Sequence, residues 1–295
     1  MNTILKKKVL VLGSTGMLGH QVVNYLKYFN ELIVNDISYR NKLRKDTIII
    51  NAMDKASLEG VIIKLKPDFI INCIGVLIKG SHNEEEAIYL NSYLPHQLKR
   101  LAKNINSKLI HISTDCVFSG GSGQYVETDP RDGQGIYSQT KILGEIIDET
   151  NLTLRTSIIG PELKGNGEGL FHWFMNQSGD VSGYTKAIWS GVTTIELAKA
   201  VKWSMDNNVT GLYHVTNNSS ISKYSLLQLF KKYINKDVCI KPFSGKDIDK
   251  SFIDTRLLMD YKIPSYEKMV SDMMDLIMSN RLLYSQYKVE YFDKK

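Results

Sequence analysis

Tyr137 and Lys141 stand four residues apart at the predicted start of a helix, so their side chains share one face. A lysine ammonium beside a phenol favours the phenolate, lowering its pKa from about 10 toward working pH. Such a tyrosine can give its proton to a carbonyl oxygen while hydride arrives at the carbon. Lys141 can also hydrogen-bond a nicotinamide ribose. The spacing alone says little, because Tyr284–Lys288 and Tyr291–Lys295 repeat it; those pairs follow no predicted parallel strand and are read as chance. Tyr137 differs in what precedes it. Ser113 and Thr114 close a predicted strand that starts at Lys108, where a hydroxyl can bond the same carbonyl oxygen.

The source of the hydride needs its own cradle. Gly13, Gly16 and Gly19 form G-x-x-G-x-x-G between an apolar strand, Val9 to Leu12, and a helical pattern from Met17 to Phe29. Missing side chains let the strand turn sharply, let backbone approach a pyrophosphate and let the helix pack close. The N–H groups at that helix start face the anion. An isolated glycine triplet is as readily a plain turn, but its place between strand and helix favours the nucleotide. Asp36, near the end of a second strand from Glu31, is placed to accept from adenosine ribose hydroxyls, which favours NADH. Arg40, Lys42, Arg44 and Lys45 follow at once and suit the 2′-phosphate of NADPH. The two signals conflict, and a strand-end turn followed by a solvated basic loop would look the same.

The positioning elements alternate. Thr47 to Ile50 predicts a third strand, Asp54 a helix cap, and Phe69 to Gly75 a fourth strand after Pro67-Asp68. Ser81 and Glu84 have capping-box spacing, predicting a helix toward Lys103 with a bend at Pro95. A helix from Tyr137 to Glu149 and a strand from Asn151 to Thr156 follow. Strands alternating with helices through short connections predict an α/β fold, a Rossmann-type doubly wound parallel sheet. Past Gly160-Pro161 the pattern changes. The bulky cluster Phe171 to Met175 reads as a helix or a pocket wall, Thr193 and Glu196 open a helix through Met205, and Gly211 to Thr216 rejoins the sheet. Helices at Ser222–Tyr233 and Ser265–Met278 belong to a smaller, discontinuous C-terminal lobe. The expected division is residues 1–160 plus 192–218 for the dinucleotide, and 161–191 plus 219–295 for the substrate.

Composition narrows the classes. The chain has 295 residues, 43% hydrophobic and 23% charged, with formal net charge +6, ordinary for a globular protein with a sizeable core. Basic residues cluster without a long cationic arm, so no nucleic-acid partner is expected. Cys73, Cys116 and Cys239 lie far apart and the histidines lack ligand spacing, so no metal site or disulfide framework is expected. No apolar run approaches the roughly 18 residues of a membrane span, and the start from Met1 lacks the order of a secretion signal. A cytoplasmic protein without membrane contact is the expectation.

Together, Gly13-x-x-Gly16-x-x-Gly19, Ser113-Thr114-Asp115-Cys116-Val117-Phe118, Tyr137-x-x-x-Lys141 and Leu154-Arg155-Thr156-Ser157 resemble the extended short-chain dehydrogenase/reductases. Within them, the likeness is to dTDP-4-dehydrorhamnose reductases and related nucleotide-sugar 4-ketoreductases, over nearly all of residues 8 to 218. That resemblance implies a catalytic triad of Thr114, Tyr137 and Lys141, with Tyr137 the acid. It implies cofactor contacts at Gly13, Ser14, Thr15, Gly16, Met17, Leu18, Gly19, Asn72, Cys73, Ile74, Gly75, Asn91 and Ser113, beside Asp36 or Arg40. It implies substrate contacts at Val76, Lys79, Thr114, Asp115 and Trp189, although buried aromatics such as Trp189 are more often plain core. Related 4,6-dehydratases carry an Asp-Glu pair after the threonine; here Cys116 follows Asp115, and a thiol is a poor substitute for a carboxylate. Reduction of a 4-keto-6-deoxy sugar linked to UDP or dTDP is therefore the leading expectation. The stretches Ile71–Lys79, Phe171–Phe174 and Trp189–Thr194 look more like relatives acting on UDP-linked N-acetylhexosamines in surface-polysaccharide pathways. A C4 epimerase and a non-catalytic cofactor-binding subunit, as in the β subunit of methionine adenosyltransferase, are the competing readings. Relatives often form homodimers through helices.

Overall fold

The computed structural model describes residues 6–256, 261–288, 290 and 292. The Tyr291–Lys295 spacing and the chain start at Met1 lie outside the described residues. In chain order the elements are β1 (Lys7–Leu12), α1 (Gly19–Leu26), β2 (Leu32–Ser38), β3 (Ile48–Ile49), α2 (Lys55–Leu65), β4 (Phe69–Asn72), α3 (Glu84–Ala87), α4 (Leu94–Asn104), β5 (Lys108–Thr114), α5 (Gly135–Gly144) and β6 (Leu152–Thr156). They continue as β7 (Ile158–Ile159), α6 (Leu170–Met175), β8 (Gly179–Tyr184), β9 (Ala187–Trp189), β10 (Val192–Thr193), α7 (Thr194–Asp206), β11 (Gly211–His214), β12 (Ile221–Ser222), α8 (Lys223–Tyr233), β13 (Val238–Phe243), β14 (Ile248–Asp249) and α9 (Tyr266–Ser279).

Two compact units emerge. The first comprises Met1–Phe118, Pro130–Arg155 and Ala198–Tyr213, and the second Ser119–Asp129, Thr156–Leu197 and His214–Lys295. The second thus takes in 119–129, which the sequence grouped with the first. Long-range bonds explain it: Tyr125 N donates to Ser251 O at 2.9 Å, and Ile253 N donates to Tyr125 O at 2.9 Å.

In the first unit seven strands run in the order β11-β6-β5-β4-β1-β2-β3. The pairs β2·β3, β1·β2, β1·β4 and β4·β5 are parallel. The order reverses between β1 and β4, and at such a switch point the strand ends open a ligand crevice. Val9, Leu10, Val11 and Leu12 are all fully buried, as a strand covered on both faces requires. On one face Leu10, Leu12, Ile70 and Leu109 pack with Leu58 and Ile62 of α2 and Leu98 and Leu101 of α4. Each such side chain contributes roughly 1.5–3 kcal/mol by leaving water.

Asp54 caps α2, its carboxylate accepting from Ser57 N at 3.2 Å. The predicted cap at Ser81 is instead Asn83, which accepts from Glu86 N at 3.2 Å, while Ser81 donates to Ile78 O at 2.6 Å within a 3-10 turn. The helix expected through Lys103 is broken by a π segment, Ile88–Tyr93. Pro95 has no N–H to offer the Asn91 carbonyl four residues back, and the chain widens there.

The second unit holds α8 and α9, capped by Ser222 and Ser265. It also holds strand pairs that the sequence did not reveal, such as parallel β8·β13. Phe171 and Phe174 of α6 are fully buried around Phe230, so that cluster is mainly core, with Trp173 exposed. Among the described residues no helix is long and apolar enough to cross a membrane, and no group of His, Cys, Asp and Glu could hold a metal ion.

Candidate active site

The glycine turn lies where β1 ends. Gly13 has φ +79°, and a Cβ there would crowd the Cys73 backbone at 3.2 Å, beside the end of β4. A Cβ on Gly19 would land on the Gly13 carbonyl, which cannot yield, so α1 starts this close only with glycine. Gly13 N and Ser14 N both donate to Ile37 O, at 2.9 and 3.0 Å, tying the turn to β2. Thr15 Oγ1 and Ser38 Oγ are 2.7 Å apart across the same junction. His20, which the sequence reading passed over, braces the turn from behind. Its Nδ1 lies 2.8 Å from Gly16 O and its Nε2 3.1 Å from Gln21 Nε2. Burial lowers its pKa to about 4, so it is neutral, Nδ1–H donating and Nε2 accepting. This compact cradle without side chains fits a dinucleotide pyrophosphate.

Asp36 lies near the end of β2. It is fully buried, its Oδ1 ion-paired with Arg44 and its Oδ2 accepting from Thr47 Oγ1 at 2.9 Å. Both oxygens hold a protein partner, and the residue lies inside β2 and not in a turn. Arg40 is exposed two residues beyond β2.

At the end of β4, Asn72 is fully buried; its Oδ1 accepts from Ile74 N at 3.1 Å and its Nδ2 meets His111 Nδ1 at 3.2 Å. Asn72 thereby shapes the Cys73–Gly75 turn. His111 Nε2 is buried without a partner among the described residues, and burial holds its pKa well below the ordinary value. Asn91, in the π segment, clasps Val76: Oδ1 accepts from Val76 N at 2.8 Å and Nδ2 donates to Val76 O at 3.0 Å. Its amide therefore fixes the loop that carries Val76, while Lys79 stands exposed farther along.

The reactive side chains gather at β5 and α5. Thr114 caps a 3-10 turn, accepting from Cys116 N at 3.2 Å and donating to Asp115 Oδ1 at 3.1 Å. Tyr137 and Lys141 lie on α5, one turn apart. The expected depression of the tyrosine is reversed: burial raises the Tyr137 phenol above its ordinary 10, Cys116 and Asp115 add to the rise, and a hydrogen bond with Thr114 works against it. Lys141 Nζ instead donates to Ile112 O at 2.8 Å. Burial lowers its pKa to about 8, with Glu145 and Cys73 opposing. Burial likewise lifts the Cys73 thiol to about 12, so it stays protonated and inert.

Glu145, the next residue on that face, was not singled out in the sequence. Its carboxylate accepts from Ser113 Oγ at 2.6 Å, from Arg155 Nε at 2.9 Å and from Arg131 Nη1 at 3.1 Å. Ser113 is thus committed to holding β5 against α5. Trp189 lies in the second unit, 3% exposed, with its ring 5.6 Å from that of Tyr266.

The RmlD substrate binding domain family matches residues 7–251. Methionine adenosyltransferase 2 subunit beta of Xenopus laevis is 26% identical over 239 residues, 76% of this chain and 71% of that protein. The spore coat polysaccharide biosynthesis protein SpsK of Bacillus subtilis is 28% identical over 74% of this chain and 76% of its own. The crystal structure of dTDP-4-dehydrorhamnose reductase from Bacillus anthracis, in complex with NADP, superposes with TM-score 0.79 at 20% identity, covering 92% of this chain and 99% of the other. That structural likeness establishes a shared fold.

Proposed function

This chain belongs to the RmlD substrate binding domain family, and from that premise we propose that it is an NAD(P)H-dependent reductase of the C4 ketone of a nucleotide-linked 4-keto-6-deoxy sugar. The substrate would be of the dTDP-4-dehydrorhamnose type or the UDP-2-acetamido-2,6-dideoxy-4-hexulose type, made as a precursor of surface polysaccharide. The observation that carries the reading is a phenol on α5 kept protonated by burial, one turn from the Lys141 ammonium.

When bound, the reduced nicotinamide supplies the hydride that adds to the carbonyl carbon. Tyr137 donates its proton to the oxygen as negative charge develops there, leaving an alcohol and oxidised cofactor. A raised phenol pKa suits an acid that must hold its proton until that moment. Thr114 orients the same oxygen by turning its hydroxyl from Asp115. Lys141, fixed by Ile112 O, supplies positive charge and a donor for the nicotinamide ribose. Gly13, Gly16 and Gly19 hold the pyrophosphate. Cys116 in place of a second carboxylate supports reduction over dehydration.

The test is nicotinamide oxidation by pure protein against a panel of dTDP-, UDP- and GDP-4-keto-6-deoxy sugars, with NMR of the product. No consumption with any of them would sink the proposal. Tightly held NAD and conversion without added cofactor would favour a C4 epimerase. Likeness to methionine adenosyltransferase 2 subunit beta favours a second reading, a non-catalytic regulatory subunit. Thr114, Tyr137 and Lys141 standing together speak against it, and co-purification with a synthetase without ketone reduction would reverse that judgement.

A further inference from the structure

Resting on the dinucleotide reading above, we infer that His111 is a positioning residue for the pyrophosphate cradle, its ring holding the Asn72 amide and, through it, the turn against which Gly13 packs. His111 and Asn72 pair in register on β5 and β4, and both are fully buried. The Asn72 amide has its orientation set from the other side: Oδ1 accepts from Ile74 N at 3.1 Å, so Nδ2 faces His111 Nδ1 at 3.2 Å and donates to it. That bond fixes the tautomer. Nδ1 accepts, and the proton of the neutral ring sits on Nε2, which has no partner among the described residues. A buried donor left over is a cost that an apolar residue in the same strand would not carry. The acceptor is what the ring contributes there.

The turn passes that order to the cradle. Cys73 N donates to Leu12 O at 3.1 Å, which ties the end of β4 to the end of β1 one residue before Gly13. A Cβ on Gly13 would stand 3.2 Å from both atoms of the Cys73 carbonyl and 3.1 Å from Ile74 Cγ1, so the two turns are close-packed and a shift in one reaches the other. Without an acceptor at position 111, Asn72 Nδ2 is an orphan in a buried setting, and the amide gains by rotating away from Ile74 N to find a partner. Gly13 then loses the backbone it packs on, and the N–H groups that follow it lose their aim at the pyrophosphate. Burial first, and then the Lys141 ammonium and His96, oppose protonation of the ring, so Nδ1 keeps its lone pair through working pH.

Spectroscopy and direct binding on the full chain test this apart from the reaction. Nitrogen NMR of labelled histidine below pH 6.5, where an ordinary imidazole is charged, should show His111 neutral with its proton on Nε2; a charged ring or a proton on Nδ1 overturns the inference. His111→Leu removes the acceptor and should weaken NADPH and NADH in calorimetry about fivefold or more, the worth of one hydrogen bond. His111→Asn puts an amide oxygen where Nδ1 stood and should restore most of that affinity, even if its melting temperature is the lower of the two. Asn72→Leu should weaken binding alike, and adding it to His111→Leu should cost no more, because one route carries both effects. Should a leucine variant at 111 fail to fold, His111→Gln, whose amide falls where Nε2 stood, replaces it in the comparison with His111→Asn. Affinities that follow the melting temperature, or losses that simply multiply, reduce His111 to core packing and overturn the inference. Unchanged affinity without the acceptor does the same and leaves the reductase reading standing, whereas binding of neither dinucleotide by the unaltered chain removes both.

Discussion

Glu145 receives Arg155 on both carboxylate oxygens, Nε at 2.9 Å and Nη2 at 2.8 Å, and neither side chain reaches solvent. The pair ties the last turn beyond α5 to β6, and Ser113 joins β5 to the same carboxylate. The Phe118 ring, 5.1 Å from the guanidinium, closes its other side. β5 and α5, which present Thr114, Tyr137 and Lys141, therefore share one buried ionic knot with β6. Glu145→Gln, which leaves a buried guanidinium uncompensated, should cost about 3–5 kcal/mol in urea unfolding. Joint replacement by Glu145→Leu and Arg155→Met should recover much of that loss. Burial alone would raise the Glu145 carboxyl, but Arg155, Ser113 and Arg131 hold it below its usual 4.5. With the folded pKa depressed, this stabilisation is complete above pH 4.5 and is lost as pH falls through the lower folded value.

Tyr137→Phe removes one oxygen from α5 and leaves the knot intact. Turnover of the responsive sugar should fall roughly 10²–10⁴-fold, the usual worth of a positioned acid. A thermal melt matching that of the unaltered chain would show that the loss is chemical. Full turnover in the variant would take the acid role from Tyr137.

What the sequence disclosed was local. Caps such as Asp54, Thr193, Ser222 and Ser265 involve partners three residues away, so their types and spacing suffice. Ser81 misled because Asn83-x-x-Glu86 offers a second cap of the same form two residues later. Strand-turn-helix order placed the glycines, Thr114, Tyr137 and Lys141 through the rules of parallel sheets. Burial and its electrostatic consequences were not legible. Residue types put Lys141 beside the phenol, but the depth of α5 turned the sign of the Tyr137 shift. Asp36 carries no mark of its ion pair with Arg44, which forms only when the loop before β3 folds back. Glu145 finds Ser113 and Arg155 across three elements, and β8 finds β13 across more than fifty residues; no local period encodes either meeting.

The pH profile should report Lys141. Burial, opposed by Glu145 and Cys73, holds its pKa near 8, below its ordinary 10.5. The reading needs the ammonium, so kcat/KM should decline above about pH 8, roughly tenfold per unit, as the proton leaves the free enzyme. Stability runs the other way. The unfolded chain binds the proton more tightly, so the cost of burying the charge is full below pH 8 and is relieved between 8 and 10.5. Lys141→Met should abolish the alkaline limb of what activity remains, while a limb near 10.5 in the unaltered enzyme would refute the assignment.

Gly144 and Gly60 make a contrast in which one substitution should act in opposite directions. A Cβ at Gly144 would land on the Asn91 carbonyl and stand 3.3 Å from Pro95 Cγ. The first is backbone, held in a π segment beside a proline, so neither neighbour can give way; α5 must move outward. Gly144→Ala should cost about 1–3 kcal/mol by overpacking. It should also lower kcat, because Tyr137 and Lys141 ride on the displaced helix and Asn91 sets the Val76 loop. Gly60 lies within α2, and its Cβ would meet nothing within 4 Å. There an alanine only narrows the unfolded chain's freedom, so Gly60→Ala should add about 0.4–1 kcal/mol without touching turnover. Measured side by side in urea, equal effects at the two positions would show that helix propensity alone, and not the close approach of α5 to the π segment, decides the outcome.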